Sequence, residues 1–215
     1  MTISRADTVI VVGFLILVQG TGALAGFWLP AIAPEVGQSL GLSPSLIAYP
    51  VLILYIFAMI SSLMAGGIVR RLGAWRSSQA ALILIGVSHL MFMNGSLLFL
   101  ALGSIILGGA YGLLTPPASH LLSKIVTPKN RNLIFSIRFT GVPIGGILAG
   151  LLAPSVALEY GWRESMIVTI VISLVIAISM QPFRKRWDID RLKSAKIFRN
   201  PISDIHLVWK LSALK

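Results

Sequence analysis

The sequence predicts an all-α membrane protein with six transmembrane helices, and three observations carry that prediction. Hydrophobic side chains make up 56% of the 215 residues and charged ones only 12%, about half the roughly 25% charge of a soluble domain. The apolar residues fall in runs near the length of about 20 residues that a helix needs to cross a hydrocarbon core of roughly 30 Å. The basic residues collect in the gaps between those runs. A mean hydropathy of +0.88 excludes a disordered chain, because weak hydrophobicity and dense charge are what keep chains unfolded. The absence of cysteine excludes disulfide scaffolds, thiolate metal sites and cysteine nucleophiles.

The first span runs from Thr8 to about Leu29, and Gln19 and Thr21 form a polar break among Gly20, Gly22 and Gly26. The second extends from about Ser45 to Val69 and the third from Ser77 to Met93. The fourth, Leu97 to Leu122, is expected to kink or end at Pro116-Pro117, since proline removes a backbone bond and crowds the preceding turn. The fifth lies between Arg131 and Glu159, interrupted by Arg138 and bent at Pro143; the sixth runs from Ser165 to about Phe183. These make a bundle over residues 1–183, followed by a basic cytoplasmic tail over 184–215. Arg5 with Ala23-Leu24-Ala25 imitates a cleaved signal peptide. Asp7 beside the apolar run, and hydrophobicity continuing through Phe27, Trp28 and Leu29, argue against cleavage.

Lys and Arg are retained on the cytoplasmic side during insertion. With the N-terminus inside, sixteen of the eighteen fall in cytoplasmic segments, Arg163 lies outside and Arg138 within the fifth span. Both termini are therefore expected in the cytoplasm. The net charge of +11 is then mainly topology, and no nucleic-acid partner is expected, because a nucleic-acid site needs a continuous exposed basic patch.

Gly73-Ala74-Trp75-Arg76 precedes the third span and Tyr160-Gly161-Trp162-Arg163 the sixth. One reading is a pair of three-helix units of inverted topology, which an odd number of spans puts on opposite sides of the membrane. The other is two independent Trp-Arg anchors at the headgroups.

The segment Gly66-Gly67-Ile68-Val69-Arg70-Arg71-Leu72-Gly73-Ala74-Trp75-Arg76 resembles the signature loop of the major facilitator superfamily at Gly66, Arg71, Gly73 and Arg76. Arg70 stands where that family usually has the Asp understood to help latch the cytoplasmic gate, and Ala74 where it usually has a basic residue. Thr115-Pro116-Pro117-Ala118-Ser119-His120 and Phe135-Ser136-Ile137-Arg138-Phe139-Thr140-Gly141-Val142-Pro143-Ile144-Gly145-Gly146 resemble a bacterial, cyanate-permease-like branch, as do Gly161-Trp162-Arg163 and the stretch with Asp188, Asp190 and Arg191. The resemblance implies the N-terminal half of a twelve-helix secondary transporter in a bacterial cytoplasmic membrane, with Ile205 to Lys215 approaching a seventh helix. It implies a small-molecule substrate, the lipid bilayer as surroundings, and a C-terminal six-helix half or a second copy as partner. The competing reading is a truncated, non-transporting membrane protein or an accessory subunit, which Arg70 favours.

Arg138, Gly141 and Gly145 share one helical face, and Gly146 with Gly150 forms another small-residue pair on an adjacent stripe. Arg138 lies seven residues beyond Arg131, about 10 Å deeper. A charge at that depth either meets an anionic substrate or snorkels to the interface and bonds helix-end carbonyls. Gln19, Thr21, Tyr55 and Tyr111 are further candidates to face substrate. No Asp or Glu lies inside the six expected spans, which tilts the expectation toward an anionic or neutral solute. His89 and His120 are not spaced as a metal pair and read as structural. No ATPase phosphate loop, zinc-protease motif or serine-nucleophile motif is present, so neither an enzyme nor a resident cofactor is expected.

Overall fold

The computed structural model describes residues 4–43, 46, 48–195 and 197, so the expected approach to a seventh helix at 205–215 lies outside the described residues. Helix α1 spans Arg5–Ala31 and α2 Ala33–Leu40; α3 spans Ala48–Leu72 and α4 Ala74–Met93. The fourth span is two pieces, α5 (Leu97–Gly112) and α6 (Thr115–Ile125), and the fifth is α7 (Arg131–Phe139) and α8 (Gly141–Tyr160). Helix α9 spans Trp162–Ser179, and a single 3-10 turn leads into α10 (Arg184–Trp187). The described residues contain no strand.

Five of the six expected spans are helices both long and apolar enough to cross a membrane. The exception, α4, has twenty residues, about 30 Å of rise, but its first turns carry Arg76, Ser77, Ser78 and Gln79. Those residues are tolerated because α4 lies between α5 and α9, where its polar side chains are mostly buried and bonded. Ser77 and Ser78 return their hydroxyls to the Gly73 and Ala74 carbonyls, and Gln79 donates to the Ala177 carbonyl. The first helix also begins earlier than expected. Ser4 and Asp7 form a reciprocal cap at its start, and Ala23-Leu24-Ala25 lie buried in the middle of the continuous helix.

The breaks fall where the prolines require them. Pro116 and Pro117 cannot donate to the carbonyls four residues earlier, so the chain tightens at Leu113 and Leu114, whose N–H groups bond three residues back to Ala110 and Tyr111. Pro143 has the same effect at Thr140, whose N–H turns to the Ile137 carbonyl at 3.1 Å.

Helix packing bears on the internal repeat. The first span packs chiefly on the fifth, the fourth on the second, and the sixth on the third. Exchanging spans 1, 2 and 3 for 4, 5 and 6 maps that set of pairs onto itself, as a two-fold axis between inverted units requires. Gly73 and Gly161, the residues that open α4 and α9, have nearly the same backbone: φ 98°, ψ 151° and φ 98°, ψ 150°. That conformation suits glycine alone, because a Cβ is strained there. Over the described residues the fold is thus six transmembrane helices in two inverted three-helix repeats.

Candidate substrate site

Arg138 is in the last turn of α7, just before the proline-induced break, where helix-end carbonyls favour a cation. It is fully buried. Its Nη2 donates to Gln19 Oε1 of α1 at 2.6 Å and more weakly, at 3.4 Å, to the Leu114 carbonyl and Thr115 Oγ1. Leu114 and Thr115 sit at the other break, between α5 and α6, so two interrupted helices and one polar position in α1 converge on a single guanidinium. The cation also lies 4.7 Å from the centroid of the Phe139 ring, within cation–π range. Arg138 Nε and Nη1 are buried without a hydrogen-bond partner among the described residues. A buried cationic donor left unpaired is costly, so the arrangement is suited to an acceptor, above all an anionic one.

Glycine makes this reach feasible. A Cβ at Gly141 would stand 2.5 Å from the Ile16 carbonyl oxygen, and one at Gly145 would run into the Gly20 carbonyl. Without side chains there, α8 approaches α1 backbone to backbone. The second expected pair makes no such close approach among the described residues. Gly146 makes ordinary contact with the Phe27 ring and Gly150 has nothing within 4 Å. The buried stripe of α8 is Gly141, Gly145, Ala149, Ala153 and Ala157, and residues 146 and 150 lie one step around the helix from it. Pro143 is exposed; it acts through the break and not by packing.

The other candidates divide. Gln19 is 5% exposed and bonded to Arg138. Thr21 is not brought to the guanidinium: two residues on, it points around the opposite side of α1, and its hydroxyl donates to the Leu17 carbonyl at 2.8 Å. Tyr55 and Tyr111 pair edge to face at 6.0 Å, and the Tyr111 ring borders Gly26. Gly26 follows Gln19 by seven residues, so the two phenols stand on the same face of α1, about 10 Å along the axis from the Arg138 contact.

At the basic end of the bundle, Gly66 meets open space, and Arg70 and Arg71 are exposed. The Arg70 carbonyl accepts from Leu192 N–H at 2.8 Å. Position 70 carries no carboxylate, but one from later in the chain lies in this corner of the bundle. Asp188 accepts from Trp75 N–H at 2.8 Å and Arg76 N–H at 3.1 Å, capping α4, and its Oδ2 is 3.9 Å from Arg76 Nε. Burial pushes the Asp188 carboxyl up to about 6, against the opposing pull of the Trp75 N–H and Lys124. Trp187 stacks on Trp75, and Asp190 accepts from Lys124 at 2.7 Å and pairs with His120 at 2.7 Å. Burial alone would raise the Asp190 carboxyl, but these two partners hold it below its usual range. His120 thus has a structural partner. His89 is buried, with Nδ1 against Ser88 and the Ile85 carbonyl, and the described residues hold no cluster of metal-ligating side chains.

Comparison with known proteins agrees with this architecture. Over 151 residues the chain is 28% identical to a gallate transporter of Pseudomonas putida, covering 67% of this chain and 32% of that protein. Its fold superposes on a crystal structure of the peptide transporter POT in complex with sulfate with a TM-score of 0.67 at 18% identity, covering 96% of this chain and 44% of the other. A POT E310Q mutant in complex with alafosfalin gives a TM-score of 0.62 at 20% identity, again over 96% and 44%. The chain thus spans about a third of the length of the curated relative and under half of the matching structures. Residues 13–211 match the model of the Major Facilitator Superfamily, and the chain belongs to that family as a multi-pass membrane protein.

Proposed function

We propose that the chain forms the N-terminal six-helix half of a secondary transporter for a small organic anion, and that Arg138 holds the anionic group. The observation that carries this reading is the buried Arg138 guanidinium, whose Nε and Nη1 lack partners among the described residues while Nη2 is steadied by Gln19. Thr115 supplies a second polar group, and Tyr55 with Tyr111 would meet the far end of the solute along the same face of α1. The relative named as a gallate transporter supports an organic anion as substrate class.

In this reading the bundle comprises residues 1–183 and rocks against a second six-helix half, supplied by further chain or by a second copy, around the Arg138 site. Residues 184–215 are the cytoplasmic connection. Both termini face the cytoplasm of a bacterial cell, since Arg5, Arg70, Arg71, Arg76, Lys124, Lys129 and Arg131 all fall at the end of the bundle where the chain enters and leaves. The test is uptake of labelled organic carboxylates by vesicles bearing the complete transporter, normalised to folded protein. Arg138→Gln is expected to abolish uptake. Arg138→Lys should retain part of it, because a point charge keeps the attraction but loses the planar fork. Normal uptake by Arg138→Gln would end the reading and leave Arg138 a purely structural bond between helices.

A further inference from the structure

The outer faces of α4 and α9 form a groove that the substrate reading does not use. The two helices run antiparallel, tied by Gln79 Nε2, which donates to the Ala177 carbonyl at 2.8 Å and to Gln181 Oε1 at 3.0 Å, and by the close approach of Gly86 to Ser173. Beside this seam lies a cavity of about 520 Å³, within the range of roughly 300–1,000 Å³ typical of small-ligand sites. Its character changes along its length. Arg76, Gln79, Gln181 and Arg184 line the end level with the start of α4 and with α10, and Ile83 and Leu174 line the other. Arg76 and Ile83 are seven residues apart, so the charged rim and the apolar wall are separated by about 10 Å.

Charge at the rim is only half balanced from within. Asp188 pairs with Arg76, its Oδ2 3.9 Å from Nε, while the same carboxylate accepts from the Trp75 and Arg76 amides, and no second carboxylate among the described residues pairs with the other arginine. Arg76 Nη1 is buried without a hydrogen-bond partner among the described residues. The Arg184 guanidinium has no carboxylate partner among the described residues. Two guanidinium groups therefore face one opening at the depth where spanning helices end, above a wall of half-exposed Ile83 and Leu174. A free anion would answer the arginines and leave the wall bare. A zwitterionic lipid would set a second cation against them. A phosphodiester on an acyl chain, without a compensating ammonium, fits both ends, and basic pockets between helices on the cytoplasmic side suit such headgroups.

We propose that this groove binds one anionic phospholipid of the cytoplasmic leaflet, with its phosphate between Arg76 and Arg184 and one acyl chain along Ile83, Leu174 and Ile178. The leaflet rests on the proposed orientation; the groove does not, and binding in micelles tests it apart from both orientation and transport. The full chain is purified in detergent and titrated with phosphatidylglycerol or with phosphatidylcholine of matching acyl chains, and bound lipid is counted by native mass spectrometry. One phosphatidylglycerol should be retained, preferred on the order of thirty-fold if each arginine contributes as basic residues near anionic headgroups do. Arg184→Gln should cut that preference about five-fold and the Arg76→Gln, Arg184→Gln pair should erase it. Ile178→Trp, which crowds the wall, should weaken retention of both lipids, and Arg5→Gln, exposed at the same end but outside the groove, should change neither. Equal retention of the two lipids overturns the proposal. So does an equal loss in Arg5→Gln, which would mean a diffuse basic surface. Displacement by millimolar inorganic phosphate with no effect of Ile178→Trp would mean a free-anion site, and that too overturns it.

Discussion

Replacing Gly141 with alanine tests whether backbone contact between α8 and α1 sets up the arginine site. The new Cβ would stand 2.5 Å from the Ile16 carbonyl oxygen, 3.0 Å from the Gly20 amide nitrogen and 3.3 Å from the Gln19 Cβ. The first two are backbone atoms of a long helix and cannot turn aside, so α8 must withdraw by about 1 Å to restore an ordinary contact. Overpacking of this kind costs about 1–3 kcal/mol, against a gain of roughly 0.5–1 kcal/mol from replacing a helical glycine. The expected net loss is about 0–2.5 kcal/mol, centred near 1. The same withdrawal stretches the 2.6 Å bond from Arg138 to Gln19 beyond hydrogen-bonding distance. Gly150→Ala is the internal control: nothing lies within 4 Å of its Cβ, so it carries the helix gain without the clash. Reversible unfolding in mixed micelles should place Gly141→Ala below and Gly150→Ala at or slightly above the parent, and carboxylate binding should weaken in the first alone. Equal stability of the two variants would refute the reasoning, since the two substitutions differ only in what the new methyl meets.

Three other outcomes follow from the geometry. Reporter fusions after Lys215 should behave as cytosolic and fusions near Glu159 as external; the opposite pattern would overturn the orientation. Asp188 has its carboxyl raised from 3.8 to about 6 by burial, so its ionised form is disfavoured in the folded state. Its cost to stability is absent below the unfolded value, grows as pH rises through that window and is full above it, at most about 3 kcal/mol. Asp188→Asn should therefore flatten the fall in stability between pH 4 and 7 (roughly the window of that shift), and an unchanged slope by unfolding titration would assign the dependence elsewhere. Trp75→Phe removes the indole N–H that donates to the Met180 carbonyl at 2.7 Å, while that carbonyl keeps its 3.2 Å bond from Phe183 N–H, so the change should cost about 1 kcal/mol in the same unfolding assay, the worth of one buried hydrogen bond; no measurable change would mean that water replaces the bond.

Much of the fold was legible because its signals are local. Apolar runs, the prolines at 116, 117 and 143, and the isolated depth of Arg138 can each be read within a few turns of helix. The third span was the least apolar of the six, because α4 keeps its serines and Gln79 inside the bundle and needs less hydrophobic surface than a lipid-facing helix. What was not legible depends on partners distant in the chain. Gln19 and Arg138 are 119 residues apart, and no spacing announces that one will steady the other. The choice between the Gly141–Gly145 and Gly146–Gly150 faces needed the direction of α1, which a helical wheel does not contain. Thr21 shares the polar break of Gln19 in sequence but not its face. Asp188 was seen as part of a basic stretch, and only the folding back of that stretch shows it as the cap of α4.

The two glycine corners, alike in backbone, differ in where their carboxylates originate. At Gly161 the neighbouring acid is Glu164, three residues on and part of the same helix. At Gly73 it is Asp188, more than a hundred residues later, on the segment that leaves the bundle. One corner is therefore self-contained, and the other is completed by the chain that follows α9. Tension on that chain would be delivered to the start of α4 and to the Trp75–Trp187 stack, and would leave the corner at α9 undisturbed. A duplicated fold thereby acquires a handle on one side only.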